Sequence, residues 1–169
     1  MQQSDNTLAS LPSLVEILAK QLLANKLLLA TAESCTGGGI ATALTDLAGS
    51  SGWFDAGFVT YSNSAKQRML DVPEHLFAVD GPGAVSEETV RAMTAGAISN
   101  SMATVAVAVS GVAGPDGGSA AKPVGTVWIA WQLGDSQRAQ VFHFVGDRAA
   151  VRAATVRAAI LGLLELLEK

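Results

Sequence analysis

Two adjacent serines, a tyrosine and a lysine fall within "GSSGWFDAGFVTYSNSAK", residues 49–66. A serine hydroxyl is a weak nucleophile until a base takes its proton, and a lysine can be that base only when its amine is neutral. Lys66, one of five lysines in the chain, is placed to have a depressed pKa. It follows an apolar strand-like run, "WFDAGFVTYS", that can bury it. It also lies in the first turn of a short helix pattern, "NSAKQRML", where the dipole disfavours positive charge. Ser50 and Ser51 stand just past Gly49, where a turn can expose a hydroxyl, and spacing does not choose between them. Tyr61, at the strand end, is placed to relay a proton or orient a substrate. Two capping serines and a solvated lysine would give the same string, so the chemical reading requires Lys66 to be buried beside a hydroxyl.

Three other stretches offer ligand contacts. "TAESCTGGG", residues 31–39, reads as strand, Gly-rich turn and helix start, a place where unpaired N–H groups suit a phosphate or carboxylate. It is no Walker loop, because no Gly-Lys-Ser/Thr follows, and no dinucleotide fingerprint, because Thr42 stands where the last glycine should be. Cys35 within it lacks an evident base. The only histidines, His75 and His143, fall in other segments without Cys or acidic partners at ligand spacing, so neither a thiol nucleophile nor a metal site is expected. "SGVAGPDGG", residues 110–118, begins at Ser110 and forms a long loop after a buried strand, where Gly-rich turns make anion-binding nests. "GDRAAVR" sets Arg148 in the first turn of the last helix, against the dipole, an arrangement that an intervening anion would relieve.

The elements that must position these groups are legible in the periodicity. Leu11, Leu14, Val15, Leu18 and Leu22 predict a first helix, followed by a strand over "KLLLATA" and a helix with Ile40, Leu44 and Leu47 on one face. Ser86 caps a further helix, "ATVAVAVSG" reads as a strand buried on both faces, and "TVWIAWQL" and "RAQVFHFV" as two more strands. Asp147 caps a last helix with Val151, Ala154, Ala158 and Leu161 on one side and Ile160, Leu164 and Leu167 on another; it is either deeply packed or shared with another subunit. The pattern predicts a three-layer α/β/α sandwich with a mixed, mainly parallel sheet, formed by one domain over 11–169 after a flexible tail over 1–10. Self-association is expected, with a dimer favoured.

Composition narrows the class. At 169 residues, 49% hydrophobic and 15% charged, the chain has material for a large core. A net charge of −4 with no basic stripe argues against nucleic-acid binding. A single cysteine forms no internal disulfide, and the first ten residues do not look like a secretion signal, so the cytoplasm is the expected compartment. "AAILGLLELL" contains Glu165 and falls well short of the roughly 20 residues that a membrane span requires.

Taken in order, "TAESCTGG", "GSSGWFDAGFVTYSNSAK", "SGVAGPDGGS…KPVGTVW" and "GDRAAVR" resemble the CinA C-terminal-domain family, the nicotinamide-nucleotide amidohydrolases, from about Leu11 to Leu167. The resemblance implies an oligomeric α/β enzyme without cofactor or metal. Its substrate would be nicotinamide mononucleotide, whose carboxamide is hydrolysed to give nicotinate mononucleotide and ammonia in pyridine-nucleotide recycling. Carried over residue by residue, the family's serine–lysine pair falls on Ser51 and Lys66, with Tyr61 as the assisting hydroxyl. Ser34 and Arg148 fall on pocket residues, and Thr36, Gly37, Gly38 and Ser110 join them as substrate contacts. The phosphate would rest on the N–H groups of Thr36 to Gly38 or on Arg148. The alternative is a regulatory module that binds a mononucleotide without hydrolysing it.

Overall fold

A computed structural model describes residues 8–168. Positions 1–7 of the predicted tail lie outside the described residues, and Ser10 already belongs to the fold as the N-cap of α1 (Leu11–Ala24), accepting from the Ser13 N–H. There follow β1 (Leu29–Glu33), α2 (Gly39–Thr45), β2 (Phe54–Val59), α3 (Asn63–Leu70), α4 (Glu87–Ser99), β3 (Val105–Gly111), β4 (Thr126–Leu133), β5 (Ser136–His143) and α5 (Arg148–Leu167). Short 3-10 turns occupy Ser50–Gly52 and Glu74–Phe77. Caps fix the helix starts: Ser62, Ser86 and Asp147 accept from the N–H groups of Ala65, Thr89 and Ala150.

The sheet order is β2-β1-β3-β4-β5. β1 pairs in parallel with β2 and β3, while β4 is antiparallel to both neighbours, so β5 runs with the first three. This is the mixed, mainly parallel sheet that the alternation of elements predicted. Its two faces are sorted by side-chain size. Val105, Val107 and Val109, with Val127, Ile129 and Trp131, pack toward α1, α2 and α5. Ala30, Ala32, Ala106, Ala108 and Ala130 turn to the other face, where they meet Val90, Met93 and Ala97 of α4. The period of two in "VAVAV" performs this sorting, and the alanines let α4 lie close to the sheet. On the opposite layer, α5 packs against the sheet and against α1 and α2 of the same chain.

Chain order creates a crevice. From β1 the chain crosses outward to β2, whereas from β3 it proceeds to β4 on the opposite side. The connections leaving β1 and β3 diverge, and in open α/β sheets ligands bind at such a switch point, beyond the carboxyl ends of the strands. Ser34 follows β1 and Ser110 lies at the end of β3, so both stand at this crevice.

The helix bearing Lys66 is held from α4. Gly96 faces the end of α3, and a Cβ there would run into the carbonyl of Leu70. In an isolated helix Gly→Ala gains about 1 kcal/mol. Here the backbone clash should win, and Gly96→Ala is expected to lower unfolding stability by about 1–3 kcal/mol, read from urea unfolding; a stabilised variant would show that α3 and α4 can separate freely.

Candidate active site

Lys66 is 1% exposed. Its side chain runs back under the end of β2, where Nζ lies 2.8 Å from the carbonyl oxygen of Thr60, 3.1 Å from that of Tyr61 and 3.0 Å from Ser34 Oγ. Burial lowers its pKa from 10.5 to about 8, against a smaller opposing influence of Cys35. The depressed lysine inferred from the strand–helix context is therefore present. Its hydroxyl partner is Ser34, which is also buried.

Ser51 does not meet Lys66. It is exposed in the 3-10 turn before β2, next to the start of β1, whereas Ser34 and Lys66 lie beyond the carboxyl ends of those strands. The five paired residues between the two ends span about 16 Å. The pairing of Ser51 with Lys66 is corrected on this ground: closeness in sequence is undone by the length of β2, while the parallel β1–β2 pairing brings Ser34 to the lysine. Ser50 belongs to the same turn, at the same end of the strand pair.

A cavity of about 220 Å³ opens over the Ser34–Lys66 contact, lined also by Cys35, Tyr61, Ser110, Arg148 and the Ala84–Val85 stretch. Tyr61 is 62% exposed, and its hydroxyl accepts from Arg148 Nη2 at 3.2 Å. It lines the cavity without bonding Lys66 or Ser34 through that hydroxyl; its backbone carbonyl serves the lysine instead. Arg148 also donates to the Gly114 carbonyl oxygen at 2.8 Å, joining α5 to the Gly-rich loop. Ser110 is 2% exposed and lines the cavity.

The Gly-rich turn differs from its expected use. Glu33, buried at the end of β1, accepts from Thr36 Oγ1 at 2.6 Å and from the N–H groups of Ile40 and Ala41 at 2.8 and 3.0 Å. The positive start of α2 thus receives a carboxylate from the chain itself. The Thr36 side chain is committed to Glu33, the Gly37 N–H returns to the Ser34 carbonyl, and Gly37 and Gly38 hold φ of +59° and +97°, conformations that glycine adopts without strain. The N–H groups of Thr36 and Gly38 have no acceptor among the described residues, whereas that of Cys35 lies against its own thiol. Cys35 is buried and its thiol is pushed up to about 11, chiefly by desolvation, so it stays protonated beside the serine.

Sequence reasoning passed over two residues. Glu33 was signalled by a lone charge ending an apolar strand, a position that demands buried partners. Arg152, four residues after Arg148 and so on the same side of α5, donates to the carbonyl oxygens of Cys35 and Thr36. His75 and His143 do not line the cavity, and among the described residues no cluster of His, Cys, Asp or Glu could hold a metal ion. No described helix is long and apolar enough to cross a membrane.

The sequence model of the CinA C-terminal domain matches residues 11–167. A protein of Pseudomonas putida named nicotinamide-nucleotide amidohydrolase PncC is 62% identical over 136 residues, covering 80% of this chain and 84% of its own. A protein of the same name from Escherichia coli K12 is 49% identical over 147 residues, covering 85% and 87%. A crystal structure of the competence damage-inducible protein A (ComA) from Klebsiella pneumoniae superposes with a TM-score of 0.90 at 40% identity, over 95% of this chain and 98% of that one. The shared fold, the shared length and the matched domain lead to one assignment: the chain belongs to the CinA C-terminal domain family.

Proposed function

We propose that this chain is an amidohydrolase that cleaves the carboxamide of a nicotinamide nucleotide, with Ser34 as nucleophile and Lys66 as base. The observation that carries the reading is the buried Lys66 amine at 3.0 Å from Ser34 Oγ, at the floor of a cavity. A neutral amine has two hydrogens and one lone pair. The Thr60 and Tyr61 carbonyl oxygens accept the two hydrogens, and the lone pair is left to accept the Ser34 O–H. The relatives named nicotinamide-nucleotide amidohydrolase, which share most of their length with this chain, support the substrate class.

The steps follow from these contacts. Lys66 takes the Ser34 proton as Oγ bonds to the amide carbon, and the carbonyl oxygen becomes an oxyanion near the unpartnered N–H groups of Thr36 and Gly38. The C–N bond breaks, Lys66 returns the proton to the leaving nitrogen and ammonia departs. Water gives a proton to the regenerated neutral amine as its oxygen attacks the acyl carbon; Lys66 then passes that proton to Ser34 Oγ as the ester bond breaks, and the acid product leaves as carboxylate and a proton. The nucleotide phosphate is assigned to Arg148 at the cavity mouth, because Glu33 already neutralises the start of α2. Such a reaction would return nicotinamide nucleotide to pyridine-nucleotide recycling.

Ammonia release from nicotinamide mononucleotide tests the reading. Ser34→Ala and Lys66→Ala should each lower kcat by at least about 10³-fold, while Ser51→Ala retains nearly full turnover; the reverse result for the two serines would refute the assignment. Because the neutral amine is the active form, the rate should climb about tenfold per pH unit below 8 and level off above it. A flat profile would mean that Lys66 does not act as base.

The same burial affects stability. The folded-state pKa lies below the unfolded one, so the ammonium form costs the fold roughly 3 kcal/mol below pH 8, and the cost fades as pH rises to 10.5. Over that window wild-type stability should rise relative to Lys66→Met, as measured by urea midpoints; Cys35 titrates in both proteins and largely cancels. A constant difference would show that the amine keeps its ordinary pKa.

A further inference from the structure

The turn carrying Ser34 is gripped from behind by α5. Arg152 is half-buried and donates through Nε to the Cys35 carbonyl oxygen at 3.2 Å and through Nη2 to that of Thr36 at 3.1 Å. Gly37 leaves room for this approach, since a Cβ there would stand 3.4 Å from Nη2. A trans peptide unit is planar, with its C=O and N–H directed to opposite sides. Holding the Cys35 carbonyl toward Arg152 therefore turns the Thr36 N–H away from that side chain. This N–H has no acceptor among the described residues, although Thr36 is only 1% exposed. A buried donor without a partner is costly unless a ligand completes it.

We propose that Arg152 is a positioning residue for amide hydrolysis, fixing the Cys35–Thr36 peptide plane so that the Thr36 N–H donates to the oxyanion formed on attack by Ser34. This inference rests on the proposed activity. Arg148 and Arg152, one helical turn apart, then divide the work: the first faces the substrate at the cavity mouth, and the second holds the backbone that faces the transition state. A guanidinium suits the second task because its fork spans two successive carbonyls, which a single ammonium does less well.

The test is steady-state ammonia release from nicotinamide mononucleotide by wild type, Arg152→Met and Arg152→Lys, at a temperature where circular dichroism shows each folded. Arg152→Met should lose about 10²-fold in kcat, the usual effect of removing one oxyanion donor, with KM changed by no more than about threefold and the midpoint of the pH profile unmoved. Arg152→Lys should fall between the two, and it carries the test alone if the methionine variant does not fold. Millimolar guanidinium added to Arg152→Ala should recover part of kcat. A folded Arg152→Met, or in its absence Arg152→Lys, with wild-type kcat overturns the inference and leaves the proposed activity standing, as does a rise confined to KM. Wild-type protein that releases no ammonia overturns both.

Discussion

The site depends on keeping one amine out of water. A lysine with 1% exposure must find acceptors for its hydrogens, and two consecutive carbonyls at the end of β2 supply them. Those carbonyls are available because β2 ends there and its ladder no longer claims them. The Ser62 cap then starts α3 so that its fourth residue, Lys66, points back beneath the strand end. The contact of Gly96 with Leu70 seats the far end of α3 against α4. Small residues on the α4 face of the sheet allow this close layering, so the alanines of β1 and β3 contribute to the chemistry through distance alone.

Burial acts in opposite directions on the two candidate groups near Ser34. It lowers the lysine, making a neutral base accessible near physiological pH, and raises the adjacent Cys35 thiol to about 11. Desolvation penalises whichever form is charged, so one environment activates the amine and silences the thiol. This difference supports the proposed serine mechanism at a turn where sequence alone also offers a cysteine.

The layers, the sheet and the helix starts were legible because period and capping are local. "VAVAVSG" alternates along β3 itself, and Ser62, Ser86 and Asp147 bond within their own first turns. The lysine was legible for the same reason, since its burial follows from the elements directly flanking it. Its partner was not. Ser34 precedes Lys66 by 32 residues and reaches it only through the parallel pairing of β1 with β2, whereas Ser51, much nearer in sequence, is carried away by the strand between them. The use of the Gly-rich turn was half-legible. Glycines before a helix announced a place for an anion, and Glu33, quoted within the same motif, proved to be the anion.

That internal carboxylate has a consequence for how charge is distributed in the cavity. Were the start of α2 free, its dipole would draw the phosphate of the proposed substrate to the turn beside Ser34, where it would compete with the neutral carboxamide for the proposed reacting position. With Glu33 in place, the inner end holds a protonated thiol, a lysine that is readily neutral and backbone donors suited to a transient oxyanion. The exposed positive charge lies at the mouth, on Arg148, where Tyr61 and the Gly114 carbonyl hold it. A molecule with a permanent anion at one end and an uncharged amide at the other can satisfy both ends only in the orientation that brings the amide to Ser34.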